Sequence, residues 1–188
     1  PTTRTPVASG GAEPPFATPP ATTGPAAPPP STAPDSLHLL SPGRAGRLRL
    51  GMTEAEIRAL YPADQLRATT RTQEGMTSPG LLLTDAQHPE AAPLELELEA
   101  RPDGPTRLWR IRVTDPNYRT AAGIGVGSPV GAARQQYGLS AVERTNAGLV
   151  AVSKAARMSW VLDDTGLAAP SRLAQVPPAT RITGVLLF

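Results

Sequence analysis

The chain has 188 residues, with 18 Lys+Arg, 16 Asp+Glu, 23 Pro, 17 Gly and no Cys. That length leaves no room for two large domains, and nowhere is there a run of about 18 apolar residues able to span a bilayer. The missing Cys removes disulfides, thiol nucleophiles and thiolate metal sites, and any histidine-based centre or triad would have to be built around one of only two histidines, His38 and His88.

The net charge is +2, and the sequence pI near 9.5 arises because 17 of the 18 basic residues are Arg and Lys154 is the single Lys. Arg stays ionised far above neutral pH, which raises the pI without producing a strong field at pH 7. Most of the Arg residues are spread from Arg44 to Arg181 and interleaved with carboxylates, so the clustered basic face of a nucleic-acid binder is not expected. The chain opens on Pro1, which is read as a processed product. No signal peptide is visible, so export has to be inferred indirectly.

Residues 1–36 hold 11 of the 23 prolines, and their only charges are Arg4, Glu13 and Asp35. Val7 and Phe16 are their only large apolar side chains, too few to offset the entropy of ordering. Runs such as Pro28-Pro29-Pro30 favour polyproline II, and a fully extended segment would reach on the order of 100 Å. The expectation is a disordered tether that holds a folded module away from an anchor, with an inert tail as the alternative.

Residues 37–188 read as globular, and about 150 residues bury roughly 70% of their unfolded surface. A shift of 76 residues lays Arg47-Leu48-Arg49-Leu50-Gly51-Met52-Thr53 on Gly123-Ile124-Gly125-Val126-Gly127-Ser128-Pro129, Arg58 on Arg134 and Tyr61 on Tyr137. Each stretch reads as a short strand, a glycine turn at Gly51 or Gly127, and a helix stopped by Pro62 or Gly138. Thr53 with Glu56 three residues on spells a capping box, with Met52 and Ile57 as its hydrophobic staple. Ser128 is the expected cap of the second helix, with Pro129 at its first position.

Beyond the first helix, Leu94 to Glu99 alternates as a half-buried strand, and Arg101-Pro102-Asp103-Gly104 is a turn. Leu108 to Val113 returns with Trp109, Ile111 and Val113 facing inward. A tight turn at Pro102-Asp103 sets Leu96 opposite Trp109 and Glu95 opposite Arg110. In the second half Met158, Trp160 and Leu162 alternate, Asp163-Asp164-Thr165-Gly166 turns, and Arg181 to Phe188 closes the chain. The expected fold class is therefore α+β: two tandem helix-plus-antiparallel-sheet repeats, residues 37–120 and 121–188, after the tether at 1–36.

Tandem modules that open strand-Gly-x-Thr/Pro-helix-Tyr and run into antiparallel sheet resemble the β-lactamase-inhibitor-protein-like fold, whose single module is shared by outer-membrane assembly lipoproteins of the SmpA/OmlA type. Gln73-Glu74-Gly75-Met76-Thr77-Ser78-Pro79, and Asp115-Pro116-Asn117-Tyr118-Arg119-Thr120 running into Gly123–Gly127, resemble an uncharacterised family of bacterial exported proteins and lipoproteins. The resemblance spans residues 37–188. It implies a periplasmic or outer-membrane-attached location and a binding or assembly role, not a reaction. The inhibitors of that fold carry disulfides and this chain has none, so β-lactamase inhibition is not carried over.

The chemical constellations favour plain readings. Gly123-x-Gly125-x-Gly127 precedes a helix, but Ser128 stands where a dinucleotide fingerprint needs Gly or Ala. Glu95, Glu97 and Glu99 read as a solvated strand face balanced by Arg110 and Arg112. Asp163-Asp164 lacks the spacing of a calcium loop, and His38 and His88 read as exposed. No Gly-x-Ser-x-Gly elbow is present. Trp109 and Trp160 are read as core. Tyr118 and Arg119, with Asp115, form the candidate interaction patch, because Tyr and Arg are favoured interface anchors. Their alternative is a clamp between the halves. The functional expectation is a non-enzymatic envelope module that binds another protein, or else a small ligand in a cleft between the repeats. No metal, cofactor or nucleic acid is expected, and a membrane enters only through a lipid anchor upstream of Pro1.

Overall fold

The computed structural model describes Thr2, Thr3 and residues 36–73, 76–167 and 172–188. The expected tether therefore lies outside the described residues apart from Thr2, Thr3 and Ser36, as do Glu74 and Gly75 of the first family-like motif. Contacts divide the chain into Pro1–Ser31 and Thr32–Phe188, and the fold below is that of the second unit.

Two sheets carry it. A small sheet is built from β1 (Leu39–Ser41), β2 (Arg44–Ala45), β3 (Leu48–Arg49) and β8 (Arg119–Thr120), in the order β3-β2-β1-β8, with β1 and β8 parallel. The large sheet holds β4 (Leu66–Gln73), β5 (Met76–Leu83), β6 (Leu94–Arg101), β7 (Gly104–Val113), β9 (Ala141–Thr145), β10 (Gly148–Ser153), β11 (Met158–Leu162) and β12 (Ile182–Leu187). Its order is β4-β5-β6-β7-β12-β11-β10-β9, antiparallel throughout. The α-helices among the described residues are α1 (Glu54–Leu60) and α2 (Val130–Tyr137), of 7 and 8 residues. Neither is long and apolar enough to cross a membrane.

This corrects the expected fold class. The chain is mostly β, and its strands do not form two helix-plus-sheet repeats. β7 pairs with β12 through Val113–Val185, Arg112–Leu186 and Ile111–Leu187, so the would-be separate sheets are one. The physical reason is the edge: two four-stranded sheets would each leave an inner edge with unpaired N–H and C=O groups, and pairing β7 with β12 removes both.

The strands alternate faces, and one face carries the core. Leu81, Leu96, Ile111, Val185, Trp160, Met158 and Leu149 are all buried on it, under Ile57 of α1 and Val130 and Ala133 of α2. Leu40, Ala45 and Leu48 of the small sheet join the same cluster. The capping box at α1 is formed as read: the Glu56 amide donates to Thr53 Oγ1 at 3.2 Å and the Thr53 amide to Glu56 Oε2 at 2.7 Å. Gly51 and Gly127 adopt φ of +86° and +87°, and their amides donate to Leu108 and Ile182 carbonyls at 2.7 Å. Their own carbonyls accept from Arg107 and Arg181 at 2.7 Å. α2 starts differently from the expectation: Pro129 is its N-cap, and Ser128 Oγ turns back to accept from the Gly125 amide at 3.1 Å.

Trp109 is not core. It is 38% exposed, whereas Leu108, Ile111 and Val113 are buried. A bulge between Glu97 and Leu98 pairs Glu97 with Arg110 and Leu98 with Leu108, so Trp109 is the extra residue and points outward. A second irregularity between Glu99 and Arg101 adds another residue on β7, so the register beyond both is two residues from the expected one, with Leu96 opposite Ile111 and Glu95 opposite Arg112. Trp160 is fully buried against Tyr137, with ring centroids 5.3 Å apart.

Candidate functional site: the open face of the large sheet

The face opposite the helices is built from the alternate residues of the same strands. Running across it are Arg71 on β4, Gly80 on β5, Glu95 and Glu97 on β6, Arg110 and Arg112 on β7, Leu186 on β12, Ser159 and Val161 on β11, and Val150 and Val152 on β10. The β4–β7 part is charged. The β10–β12 part is apolar, and Val150, Val152, Val161 and Leu186 form a second small core with Ala147 and Phe188 packed on it.

Glu97 is the hub of the charged part. Arg71 donates to its Oε1 at 2.6 Å and Arg110 to its Oε2 at 3.3 Å. Glu95 lies 3.7 Å from Arg112 and 3.8 Å from Arg71. Arg71 reaches Glu97 across β5, where Gly80 pairs with both Thr69 and Glu97 and presents no side chain. A Cβ at Gly80 would lie 2.9 Å from the Leu96 carbonyl oxygen and 3.2 Å from Thr69 Cγ2. The Arg110 guanidinium stacks 3.9 Å from the centroid of the outward Trp109 ring. Burial lowers the Arg110 pKa from its ordinary value, with Glu97 opposing the shift and Arg71 adding to it. Among the described residues, Arg110 Nε and Arg112 Nε are buried donors without a hydrogen-bond acceptor.

A groove of about 510 Å³ runs where the two parts meet. Four cations, Arg71, Arg110, Arg112 and Lys154, line it against two carboxylates, Glu97 and Glu143, and Val150, Val152, Leu186 and Phe188 supply its apolar wall. Glu95 and Glu97 are thus members of an ion-pair network, and Glu97 is nearly buried instead of solvated; Glu99 is exposed.

The expected interaction patch is placed elsewhere. Tyr118 is 5% exposed, its ring edge-on to His38 at 4.9 Å between centroids. Asp115 is fully buried, with Oδ1 accepting the Asn117 amide at 2.8 Å. Arg119 donates to the Gly123 carbonyl at 3.0 Å, to Ser128 Oγ at 3.3 Å and to the Val126 carbonyl at 3.4 Å. The Arg119 contacts hold the Gly123–Gly127 turn locally. Gly51, Thr53, Glu56, Gly127 and Ser128 serve turns and the start of α1, apart from the groove lining.

His38 is also not exposed. It is 6% accessible, and its Nε2 lies 2.5 Å from Asp85 Oδ2. Burial pushes the Asp85 carboxyl up, but hydrogen bonds from His38 and the Gln87 amide, with the charges of His38 and His88, outweigh it and leave the pKa below its usual value. Sequence reasoning missed Asp85, Arg71 and Lys154. Asp85-x-x-His88 in a polar loop was the readable local signal for the first; the other two gave none, because their neighbours come from distant strands.

The architecture is thus an eight-stranded antiparallel sheet with two helices and a small mixed sheet on one face and a groove on the other. No protein-family model matches the chain, and no curated protein matches it. Among solved structures it is similar to the crystal structure of the uncharacterized protein YfeY from Escherichia coli, with a TM-score of 0.50 and 13% identity. The match covers 80% of this chain and 96% of that one, and at such identity the likeness concerns the fold alone.

Proposed function

We propose that the chain is a non-enzymatic binding module whose open sheet face receives a protein segment carrying acidic and apolar side chains. The groove carries the reading: it sets Arg110, Arg112 and Lys154 beside the apolar wall of Val152, Leu186 and Phe188. Acidic side chains would answer the cationic excess of the groove lining. Apolar side chains would cover the strip beside them. The Pro/Thr/Ala-rich composition of residues 1–36 supports a module held on a tether, and an exported location belongs to the same proposal.

Selection of displayed random peptides on the full chain tests it. The expected winners combine Asp or Glu with a neighbouring large apolar residue, and Lys154→Glu together with Arg112→Glu weakens them at least ~10-fold. Winners indifferent to both substitutions, or binding satisfied by small carboxylates alone, would remove the proposal.

A further inference from the structure

Beyond the groove, we propose that His38, Asp85 and His88 form a binding site for a divalent transition metal of the zinc type. His38 stands immediately before β1, while Asp85 and His88 lie in the loop between β5 and β6. Their donor atoms, one from each side chain, all lie within 4.8 Å of one another. The His38 and His88 rings meet edge-on with centroids 5.6 Å apart.

Two imidazoles and one carboxylate are the donor set that zinc favours when a fourth position is left to water or another ligand. A tetrahedral ion with bonds of about 2.0–2.1 Å needs its donors roughly 3.3 Å apart. The cluster reaches that spacing by small side-chain rotations, opening the 2.5 Å His38–Asp85 contact and closing the His88 side. The metal takes the place of the proton between His38 Nε2 and Asp85 Oδ2, and the His38 ring becomes the Nδ1–H tautomer.

The surroundings orient the donors as a metal site requires. The Gln87 amide donates to Asp85 Oδ1 at 2.9 Å, which leaves Oδ2 turned to His38. Glu90 lies 3.6 Å from His88 Nδ1, so a carboxylate stands near the site beyond its three donors. The Tyr118 ring packs against His38 from another side. A cavity of about 190 Å³ opens beside His38 and Asp85, with Arg47 and Tyr61 in its wall, and it can admit the fourth ligand.

The test uses the full chain with any affinity tag removed, since His38 and His88 are then its only histidines. Zinc is titrated calorimetrically, and cobalt is followed by its visible absorption. One ion per chain, a tetrahedral cobalt spectrum, and at least ~10-fold weaker binding in both His88→Ala and Asp85→Asn are expected. His88 is 38% exposed at its side chain, so its removal leaves the fold intact, which circular dichroism checks. No saturable binding, or binding unchanged in His88→Ala and Asp85→Asn, would overturn the site. Because neither residue lines the groove, peptide binding by these variants separates this proposal from the previous one.

Discussion

Replacing Glu97 with Gln keeps the side chain's shape and deletes the charge that joins β4 to β7. The carboxylate accepts from Arg71 at 2.6 Å and from Arg110 at 3.3 Å, and its side chain is only 11% exposed. A hydrogen bond to a charged group contributes about 1.5–3 kcal/mol. The longer Arg110 contact adds little, the two guanidinium groups are 34% and 30% exposed, and Gln still offers one acceptor. The expected loss is therefore about 1.5 kcal/mol, or roughly 3–6 °C in Tm for a domain of this size. Urea unfolding of wild type, Glu97→Gln, Arg71→Met and the double variant measures it. The double variant should recover about 1 kcal/mol of the summed losses, because either single change already breaks the pair. A midpoint unmoved by Glu97→Gln, or strictly additive losses, would refute the account of the charged half of the face.

The two tryptophans should separate sharply: Trp160→Ala lowers stability by about 3–5 kcal/mol, whereas Trp109→Ala loses about 1 kcal/mol or less, mainly its stacking with Arg110. Equal losses in denaturant titrations would place the bulge wrongly. Thr53→Ala should destabilise by about 1 kcal/mol at neutral pH. The Glu56 carboxyl is held below its usual pKa by hydrogen bonds from the Thr53 amide and hydroxyl, so its contribution exists above the unfolded carboxylate pKa and fades as pH falls through the lower folded value. The gap between wild type and Thr53→Ala in thermal melts should therefore narrow on acidification, and a gap that widens would contradict the sign.

What the sequence made legible was local. The capping box at Thr53 and Glu56, the strand at Leu94 to Glu99 and the Arg101–Gly104 turn each lie within a few residues, and each forms, although Glu97 of that strand is buried instead of solvated. Trp109 was misplaced because one extra residue in β7 inverts the alternation, and that insertion is defined only against β6. β4, with the sequence Leu-Arg-Ala-Thr-Thr-Arg-Thr-Gln, lacks a large apolar residue at every second place and gives no periodic signal. The β7–β12 pairing joins residues more than 70 positions apart, and His38 meets Asp85 across 47. Neither pairing leaves a mark in local periodicity, which is why one sheet was read as two and a buried histidine as an exposed one.

The same pairing decides whether a groove exists at all. Arg112 stands opposite Leu186 only because β7 and β12 are neighbours, and this step is where charge meets apolar surface on the open face. Two separate sheets would each present half of it: one a network of Arg and Glu with its inner edge in water, the other the strip of Val150, Val152 and Leu186 with no cation beside it except Lys154. Satisfying the strand edges therefore also composes the recognition surface. A substitution that weakens the seam, such as Gly184 to a bulky residue where a Cβ already lies 3.4 Å from the Val113 carbonyl oxygen and the Val161 side chain, should disturb both together. Stability and peptide binding are then coupled through β7 and β12, whereas changes at the far edge on β4 reach the groove only through Arg71.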